Sequence, residues 1–340
     1  MRLGAIGDVI QCAVALSAYK KKHPDAEIYW AVSKTLVPFV EVLGGTHKVI
    51  PVDYEGLVRG SFVSRLWVLV KEIRNLSRFG SFDAVFNAHS DSRYKLLTLL
   101  LRRGRNVKVD REFPIVHRYR VFEYYRLLGG ADSSDIDFGS SVEVLRKNLS
   151  SHLQPSGTLA KSRRYIVLAP GGASNLISDA FLRRWPINYY VELAKRIIDS
   201  GYDVVLVGAG SDVDLSFAFS KVTVKDLIGK TDLFGLFRVM ENAIGVVTHD
   251  SGPLHVATLT YTPIVALFGP TPANAFISIG RPYTAVLHQA NKVSCSPCYD
   301  GKTYAHCLDN RCLKNLDVNL VFERLMEVVE QKDRGCLDVR

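Results

Sequence analysis

Short apolar runs alternate with amphipathic stretches along most of the chain. Residues 27–32 (Glu-Ile-Tyr-Trp-Ala-Val) and 83–88 (Asp-Ala-Val-Phe-Asn-Ala) are β-rich runs bounded by polar or glycine residues, and they predict strands. Residues 7–22 and 62–76 carry apolar side chains at helical spacing. Strand, helix, strand in this order predicts a parallel sheet with crossover helices. The texture changes after Gly130: residues 131–135 are polar, and 148–162 are rich in serine and include Pro155 and Gly157. A domain boundary is expected there, near residue 155, giving domains 1–155 and 156–340. Alternation then resumes, with strand-like runs at 165–169, 203–207, 244–247 and 264–268 and a helical pattern over 189–198. Two similar α/β halves, each with glycine in its first turn, imply twin Rossmann-like domains facing a central cleft.

Composition narrows the class. At 340 residues there is room for two ordinary domains, and 47% hydrophobic with 23% charged residues is a globular balance. No tract approaches the ~20 apolar residues of a membrane span, and there is no secretory h-region. A cytoplasmic protein is expected, with peripheral contact at the inner face of the cytoplasmic membrane left open. The net charge is +9, and ten Lys/Arg lie between Arg93 and Arg126 against Asp110, Glu112 and Glu123. Such a surface attracts an acidic substrate, an anionic membrane or a nucleic acid, or is simply a solvated face. Nucleic acid is not the expected partner, because no RNA-binding signature or recognition helix accompanies the charge.

Five motifs carry chemistry. Gly4-Ala5-Ile6-Gly7-Asp8 leads into the first helix almost directly after Met1. The first strand is therefore either very short or missing residues that precede it. Glycines let backbone approach a ligand, and Asp8 at the helix start either caps the helix or acts as a general base. Pro170-Gly171-Gly172-Ala173-Ser174-Asn175 is the corresponding turn of the second half, with Gly171 and Ser174 as candidate ligand contacts. Arg183-Arg184-Trp185-Pro186 follows; arginine binds phosphate bidentately and keeps its charge, whereas Trp185-Pro186 suits packing at a helix start. Asp250-Ser251-Gly252-Pro253-Leu254-His255 and Leu267-Phe268-Gly269-Pro270-Thr271 each end an apolar run in a turn whose N–H groups suit a diphosphate. Ser251 and Gly252 would hold phosphate oxygens, and Asp250 either orders the loop or binds a sugar hydroxyl. His255 is a donor-site candidate, although a lone histidine is more often structural. A dehydrogenase is disfavoured: no complete Gly-x-Gly-x-x-Gly is followed by the acidic residue expected ~20 positions on.

Taken in order, Gly-Asp near the N-terminus, Arg-x-Trp-Pro, Asp-Ser-Gly-Pro-x-His and Leu-Phe-Gly-Pro-Thr resemble glycosyltransferase family 9, the ADP-heptose:lipopolysaccharide heptosyltransferases. The resemblance spans nearly the whole chain and is strongest over 165–271. It implies a GT-B fold with the nucleotide-sugar donor in the C-terminal half and the acceptor in the N-terminal half. It also implies an inverting reaction without a catalytic metal, and an ADP-sugar donor with a lipopolysaccharide core or other glycan as acceptor. Asp8 would be the base, and Arg183 would stand where the family commonly places a phosphate-binding lysine. His89, Arg93 and Arg118 are the acceptor-side candidates, in loops after the 83–88 strand and near its end. The alternatives are a GT-B transferase using another nucleotide sugar, and a non-catalytic nucleotide- or nucleic-acid-binding module.

Four of the six cysteines form Cys295-x2-Cys298-x8-Cys307-x4-Cys312. Thiolates so spaced suit a structural zinc or iron ion, ahead of reduced thiols and of disulfides. Cys12 and Cys336 are expected to stand apart from them.

Overall fold

The structure, a computed structural model, describes residues 1–89, 91–108, 119–130, 137–153, 164–173, 180–277, 281–289, 292–300 and 303–335. They fall into two compact units, one made mainly of residues up to 152 and the other mainly of those from 153 onward.

In the N-terminal unit the order is α1 (Ile6–Lys22), β1 (Tyr29–Ser33), α2 (Val37–Leu43), β2 (Lys48–Val52), α3 (Tyr54–Val58), α4 (Phe62–Ser77), β3 (Ser81–Asn87), α5 (Ser92–Leu97), β4 (Arg102–Lys108), α6 (Arg120–Leu127) and α7 (Phe138–His152). Strand β1 pairs in parallel with β2, and β3 with β4. Residues 1–3 link the two pairs. The Arg2 N–H donates to Ala31 O (3.3 Å), the Ser33 N–H to Leu3 O (3.0 Å) and the Ala88 N–H to Met1 O (3.0 Å). The first strand is thus a three-residue ladder segment, completed on one side by the Leu3 N–H donating to the Tyr94 hydroxyl at 3.0 Å. Counting it as strand one, the order across the unit is 3-2-1-4-5. Leu3, Val52, Leu97 and Tyr94 form the centre of the core beneath it.

The C-terminal unit repeats that logic. It contains β5 (Tyr165–Ala169), α8 (Ile187–Asp199), β6 (Asp203–Leu206), β7 (Lys225–Asp226), α9 (Leu233–Glu241), β8 (Gly245–His249), α10 (Gly252–Ala257), β9 (Ile264–Phe268), α11 (Ala273–Phe276), β10 (Thr284–His288), α12 (Arg311–Lys314) and α13 (Val318–Gly335). Its six parallel strands run β10-β9-β8-β5-β6-β7. Strands β5, β8 and β9 are buried at every position, as helices on both faces require, and therefore read as unbroken apolar runs. Helix α8 begins after Pro186 and buries Tyr190, Leu193, Ala194 and Ile197, the i, i+3, i+4, i+7 face, against this sheet.

In each unit the strand order reverses beside the first strand, between residues 1–3 and β3, and between β5 and β8. Open parallel sheets bind ligands outside the carboxyl ends of the strands at such switch points. The turn holding Asp8 and the loop starting at His89 flank the first; the turn Pro170–Ala173 and the motif at Asp250 flank the second.

Trp185 ties the second site to the core. It is 1% exposed, and its indole N–H donates to Leu316 O at 2.9 Å. Trp185→Ala is expected to cost about 3–5 kcal/mol, as for other large buried aromatics. Equilibrium urea denaturation measures this, and a loss below about 1 kcal/mol would contradict the packing described.

Candidate functional site

The N-terminal site is organised by charge. Asp8 lies in the first turn of α1, where a carboxylate complements the helix dipole, but its partners are side chains. Arg2 forms a short ion pair with Oδ2. Arg120 Nη1 and the Tyr124 hydroxyl each donate to Oδ1 at 2.8 Å. Burial favours the neutral acid, but Arg2 and Arg120 more than offset it and hold Asp8 well below the usual carboxylate range. Arg2 is held in turn by donating to Ala88 O at 2.8 Å, at the end of β3. Capping is therefore not what occupies this carboxylate; it is clamped between the first strand and α6.

His89 stands close enough to feel the charges of Arg2, Asp8 and Arg120. Burial, with Arg2 next, pushes its pKa down to about 4, so the ring is neutral at physiological pH. Its Nδ1 accepts the Asp91 N–H at 3.0 Å, which fixes the proton on Nε2 and makes that edge a donor. The ring stacks on Tyr94, centroids 4.9 Å apart. Arg93 is gripped by Asp91, its Nε lying 3.0 Å from each carboxylate oxygen, while Asp91 also caps α5 through the Arg93 N–H (2.8 Å). The structure thus packs His89 on Tyr94 at the start of the loop after β3 and commits Arg93 to that same loop. Arg118 lies outside the described residues.

The C-terminal site is built on three turns. After β5 the chain passes through Gly172 (φ +85°) and Ala173 (φ +59°). A Cβ on Gly171 would stand 2.3 Å from Asp212 Cγ, so this position has room for glycine alone. Asp212, 5% exposed, accepts from the N–H groups of Gly172 (3.1 Å) and Ala209 (2.9 Å) and ties the turn to the loop after β6. Arg184 Nε donates to Gly172 O at 2.9 Å. Arg183 turns the other way: Nη1 meets Asp250 Oδ2 at 3.3 Å and Nη2 reaches Ala173 O at 3.4 Å. Burial opposes the Arg183 charge, and Asp250 more than restores it.

Strand β8 delivers His249, Asp250 and Ser251, all nearly inaccessible. Ser251 is the N-cap residue of α10, but its hydroxyl donates to His249 O at 3.2 Å. It serves the turn; in the first helical turn Pro253 has no N–H and the Leu254 N–H donates to Ser251 O at 3.1 Å, so Gly252 is the N–H that the turn leaves for a ligand. Gly252 opens α10, and His255 is buried within it. His249, which sequence reasoning missed, is fully buried, its Nδ1 3.1 Å from the Tyr190 hydroxyl, and desolvation followed by Arg183 pushes its pKa down to about 3. Arg183 Nε, His249 Nε2, Asp250 Oδ1 and Thr271 Oγ1 are buried without a hydrogen-bond partner among the described residues. Buried polar atoms are rarely left so unless a ligand or water completes them. Ser174 lies outside the described residues.

The cysteine segment borders this site. The N–H groups of Cys298 and Tyr299 donate to Pro270 O at 2.9 and 3.0 Å, and the Ser296 hydroxyl donates to Gly269 O at 2.7 Å. Tyr299 and Tyr304 form an isolated antiparallel bridge with their rings 4.8 Å apart. Burial raises Tyr304 to about 12, against the pull of Arg183, which places this ring near the Arg183–Asp250 pair. Cys295, Cys298, Cys307 and Cys312 are free thiols. Burial and the neighbouring Cys298, Cys307 and Cys295 push Cys312 up to about 11. Even so, no group of three or more His, Cys, Asp or Glu side chains among the described residues stands in a metal-holding arrangement. Cys12 sits in α1 of the other unit; Cys336 lies outside the described residues.

Asp212, Arg2, Arg120 and Tyr124 escaped sequence reasoning because they act from afar: Arg120 is 112 residues from Asp8, and Asp212 is 40 from Gly172. The run of basic residues flagged Arg120's neighbourhood but not its partner.

Comparison with known proteins matches this arrangement. Residues 87–308 fit the family described as glycosyltransferase family 9 (heptosyltransferase). Lipopolysaccharide heptosyltransferase 2 of Escherichia coli K12 is 36% identical over 96 residues, a stretch covering 26% of this chain and 28% of that protein. The chain is thus matched to little more than a quarter of that relative's length. Among solved structures, the E. coli heptosyltransferase WaaC with ADP superposes with a TM-score of 0.70 at 19% identity, covering 96% of this chain and 100% of that one. WaaC with ADP-2-deoxy-2-fluoro heptose gives 0.65 at 18%, covering 96% and 99%. The shared fold is GT-B. With the family's pattern matched across well over half of its length, the chain belongs to glycosyltransferase family 9.

Proposed function

We propose that the protein transfers a heptose from ADP-heptose to a hydroxyl of a lipopolysaccharide core or related glycan, inverting the anomeric carbon. The observation that supports this reading is the C-terminal switch point, where four buried polar atoms beside two glycine-bearing turns have no hydrogen-bond partner among the described residues. A diphosphate and a polyhydroxylated sugar supply both the acceptors and the donors that such a site lacks. In this reading the backbone at Gly171, Ser251 and Gly252 and the Arg183 guanidinium receive the diphosphate, with Ser174 as a further contact. Asp250, buried beside Arg183, takes a sugar hydroxyl, and His255 supports the turn from within α10. The heptosyltransferase structures that superpose carry ADP and an ADP-heptose analogue, which supports an ADP-linked donor.

On the acceptor side, Asp8 takes the proton from the attacking hydroxyl as its oxygen bonds to the anomeric carbon and ADP departs from the opposite face. Negative charge grows on the leaving diphosphate, where Arg183 and the turn N–H groups stabilise it. In the free protein Asp8 is a weak base because Arg2 and Arg120 stabilise its carboxylate. An anionic acceptor that draws on Arg120 weakens that hold and raises the basicity of Asp8 when it is needed. In this reading His89 Nε2–H orients an acceptor oxygen, and Arg93 and Arg118 add positive charge for an acidic core. No helix among the described residues is long and apolar enough to cross a membrane. The proposed site of action is the inner face of the cytoplasmic membrane, where a lipid-linked acceptor would be met.

The cysteine segment completes the proposal with a structural zinc or iron ion held by Cys295, Cys298, Cys307 and Cys312. Their mutual influence on Cys312 and the Asn310 N–H donating to Cys307 Sγ at 3.2 Å support it. The ion would brace the Pro270 turn, to which the Cys298 N–H donates. Elemental analysis of protein purified without chelators should find about one zinc or iron per chain, lost in Cys298→Ser/Cys307→Ser. Four freely titrating thiols and no bound metal would contradict it.

The transfer reading is tested by comparing ADP-heptose with UDP- and GDP-sugars, using wild type and Asp8→Ala. Asp8→Ala should lower ADP-heptose turnover by about 10²–10⁴-fold with ADP affinity unchanged, the range of a lost general base. Turnover of another donor would keep the fold and change the substrate; tight nucleotide binding with no turnover would indicate a binding module. The acid dependence follows from the charge clamp. The folded pKa of Asp8 is depressed, so its stabilising contribution is present above the unfolded value of about 3.9 and is lost as pH falls further. The stability difference between wild type and Asp8→Asn should be flat from about pH 5 to 8 and shrink below about pH 4. Chemical denaturation across pH measures it, and a difference that changes through neutrality would contradict the assignment.

A further inference from the structure

Helix α4 is apolar on two faces. Val68, Leu69, Ile73 and Leu76 pack on the N-terminal core. On the far side Phe62 (72% exposed), Val63 (74%), Leu66 (49%), Trp67 (65%) and Val70 (40%) follow the i, i+1, i+4, i+5, i+8 spacing of a single face. Neighbouring α5 and the turn after it add Leu96, Leu99 and Leu100, also exposed. Isolated exposed leucines are ordinary, but a stripe that includes Phe62 and Trp67 marks an interaction surface. The exposed charges on the helix itself have one sign. Arg65, Lys71, Arg74 and Arg78 are exposed along the helix, and Lys71 lies over the Trp67 ring at 5.3 Å. The helix's sole carboxylate, Glu72, is 2% exposed and faces inward.

We propose that the α4 face is a membrane-docking surface that lies on an anionic bilayer, with Phe62, Val63, Leu66 and Trp67 in the headgroup–acyl boundary and the surrounding cations on lipid phosphates. A second protein would be expected to present carboxylates to this rim and to match the shape of its apolar centre. A bilayer needs only a helix with cations beside an apolar stripe and a tryptophan at the boundary, which is what α4 presents. The chain's net charge of +9 favours the same partner at longer range. Docking here deepens the transferase reading, since it would bring the N-terminal switch point to a lipid-borne acceptor, but the binding itself requires neither sugar nor nucleotide.

The protein carries its own probe. Of the three tryptophans, Trp30 and Trp185 are buried and Trp67 is exposed. Wild-type protein is mixed with vesicles of phosphatidylcholine alone or of phosphatidylcholine with phosphatidylglycerol, without acceptor or nucleotide. Trp67 emission should shift to the blue and be quenched by brominated lipid on the anionic vesicles only, and the effect should fade as salt is raised. Arg65→Gln/Lys71→Gln/Arg74→Gln should weaken partition by about 100-fold, given three fewer basic side chains near an anionic surface. Phe62→Ser/Val63→Ser should lose the quenching while retaining the wild-type far-ultraviolet circular dichroism and urea unfolding midpoint, which shows that the N-terminal unit is still folded. Unchanged Trp67 emission with anionic vesicles at low salt would overturn the proposal. So would Trp67 protection that tracks protein concentration and a dimer in sedimentation velocity. A failure of heptose transfer with vesicle binding intact would count against the transferase reading alone.

Discussion

A carboxylate withdrawn from water at the end of a parallel sheet needs partners withdrawn with it, and at Asp8 and Asp250 those partners are arginines. Asp8 is held by Arg2 and Arg120, and Asp250 by Arg183. Breaking such a pair on one side leaves an uncompensated buried charge, which is why each pair also fixes backbone. Arg2 ties the first strand to the end of β3 through Ala88 O, and Arg183 reaches the glycine turn through Ala173 O. The ion pairs thereby position the loops on which any ligand must land.

The two pairs differ in what they leave over. Around Asp8 both oxygens are occupied, by three donors, so the carboxylate is stabilised and its reactivity restrained. Around Asp250 one carboxylate oxygen and the Nε of Arg183 are left without partners among the described residues. The first arrangement suits a group whose basicity is released by an incoming anion, and the second suits a pocket that a polar ligand completes. The cysteine segment adds a third element, because its backbone closes on Pro270 and brings Tyr299 and Tyr304 to the edge of the second site.

Much of the fold was legible in the sequence, for reasons that differ between the halves. In the C-terminal half, strands buried on both faces are continuous apolar runs, so 165–169 and 264–268 match β5 and β9 residue for residue. The pattern there is strong because a central parallel strand tolerates little else. In the N-terminal half the first strand is three residues long and carries no periodicity, and β2 contains Pro51 and two exposed positions, which disguise it. The serine-rich stretch beginning at 148 reads as linker, yet its first residues end α7, where Leu145 and Leu149 are buried one turn apart. At the sites, motifs drew attention to Asp8, Arg183 and Asp250 because each lies within three residues of a glycine or proline. The partners of Asp8 were invisible, since the residue that pairs with a buried charge is chosen by the fold and leaves no local signature.

The proposed transfer divides the labour between the halves, with nucleotide held by the C-terminal turns and acceptor chemistry at Asp8. Hydrogen-exchange mass spectrometry with and without ADP tests it most directly, because each half then reports separately. Slower exchange in peptides containing Gly171–Ala173, Asp250–Leu254 and Gly269–Thr271, with peptides around Asp8 and Arg120 unchanged, is the predicted result. Protection centred on Asp8, or ADP binding with no protection in the three C-terminal turns, would contradict the account.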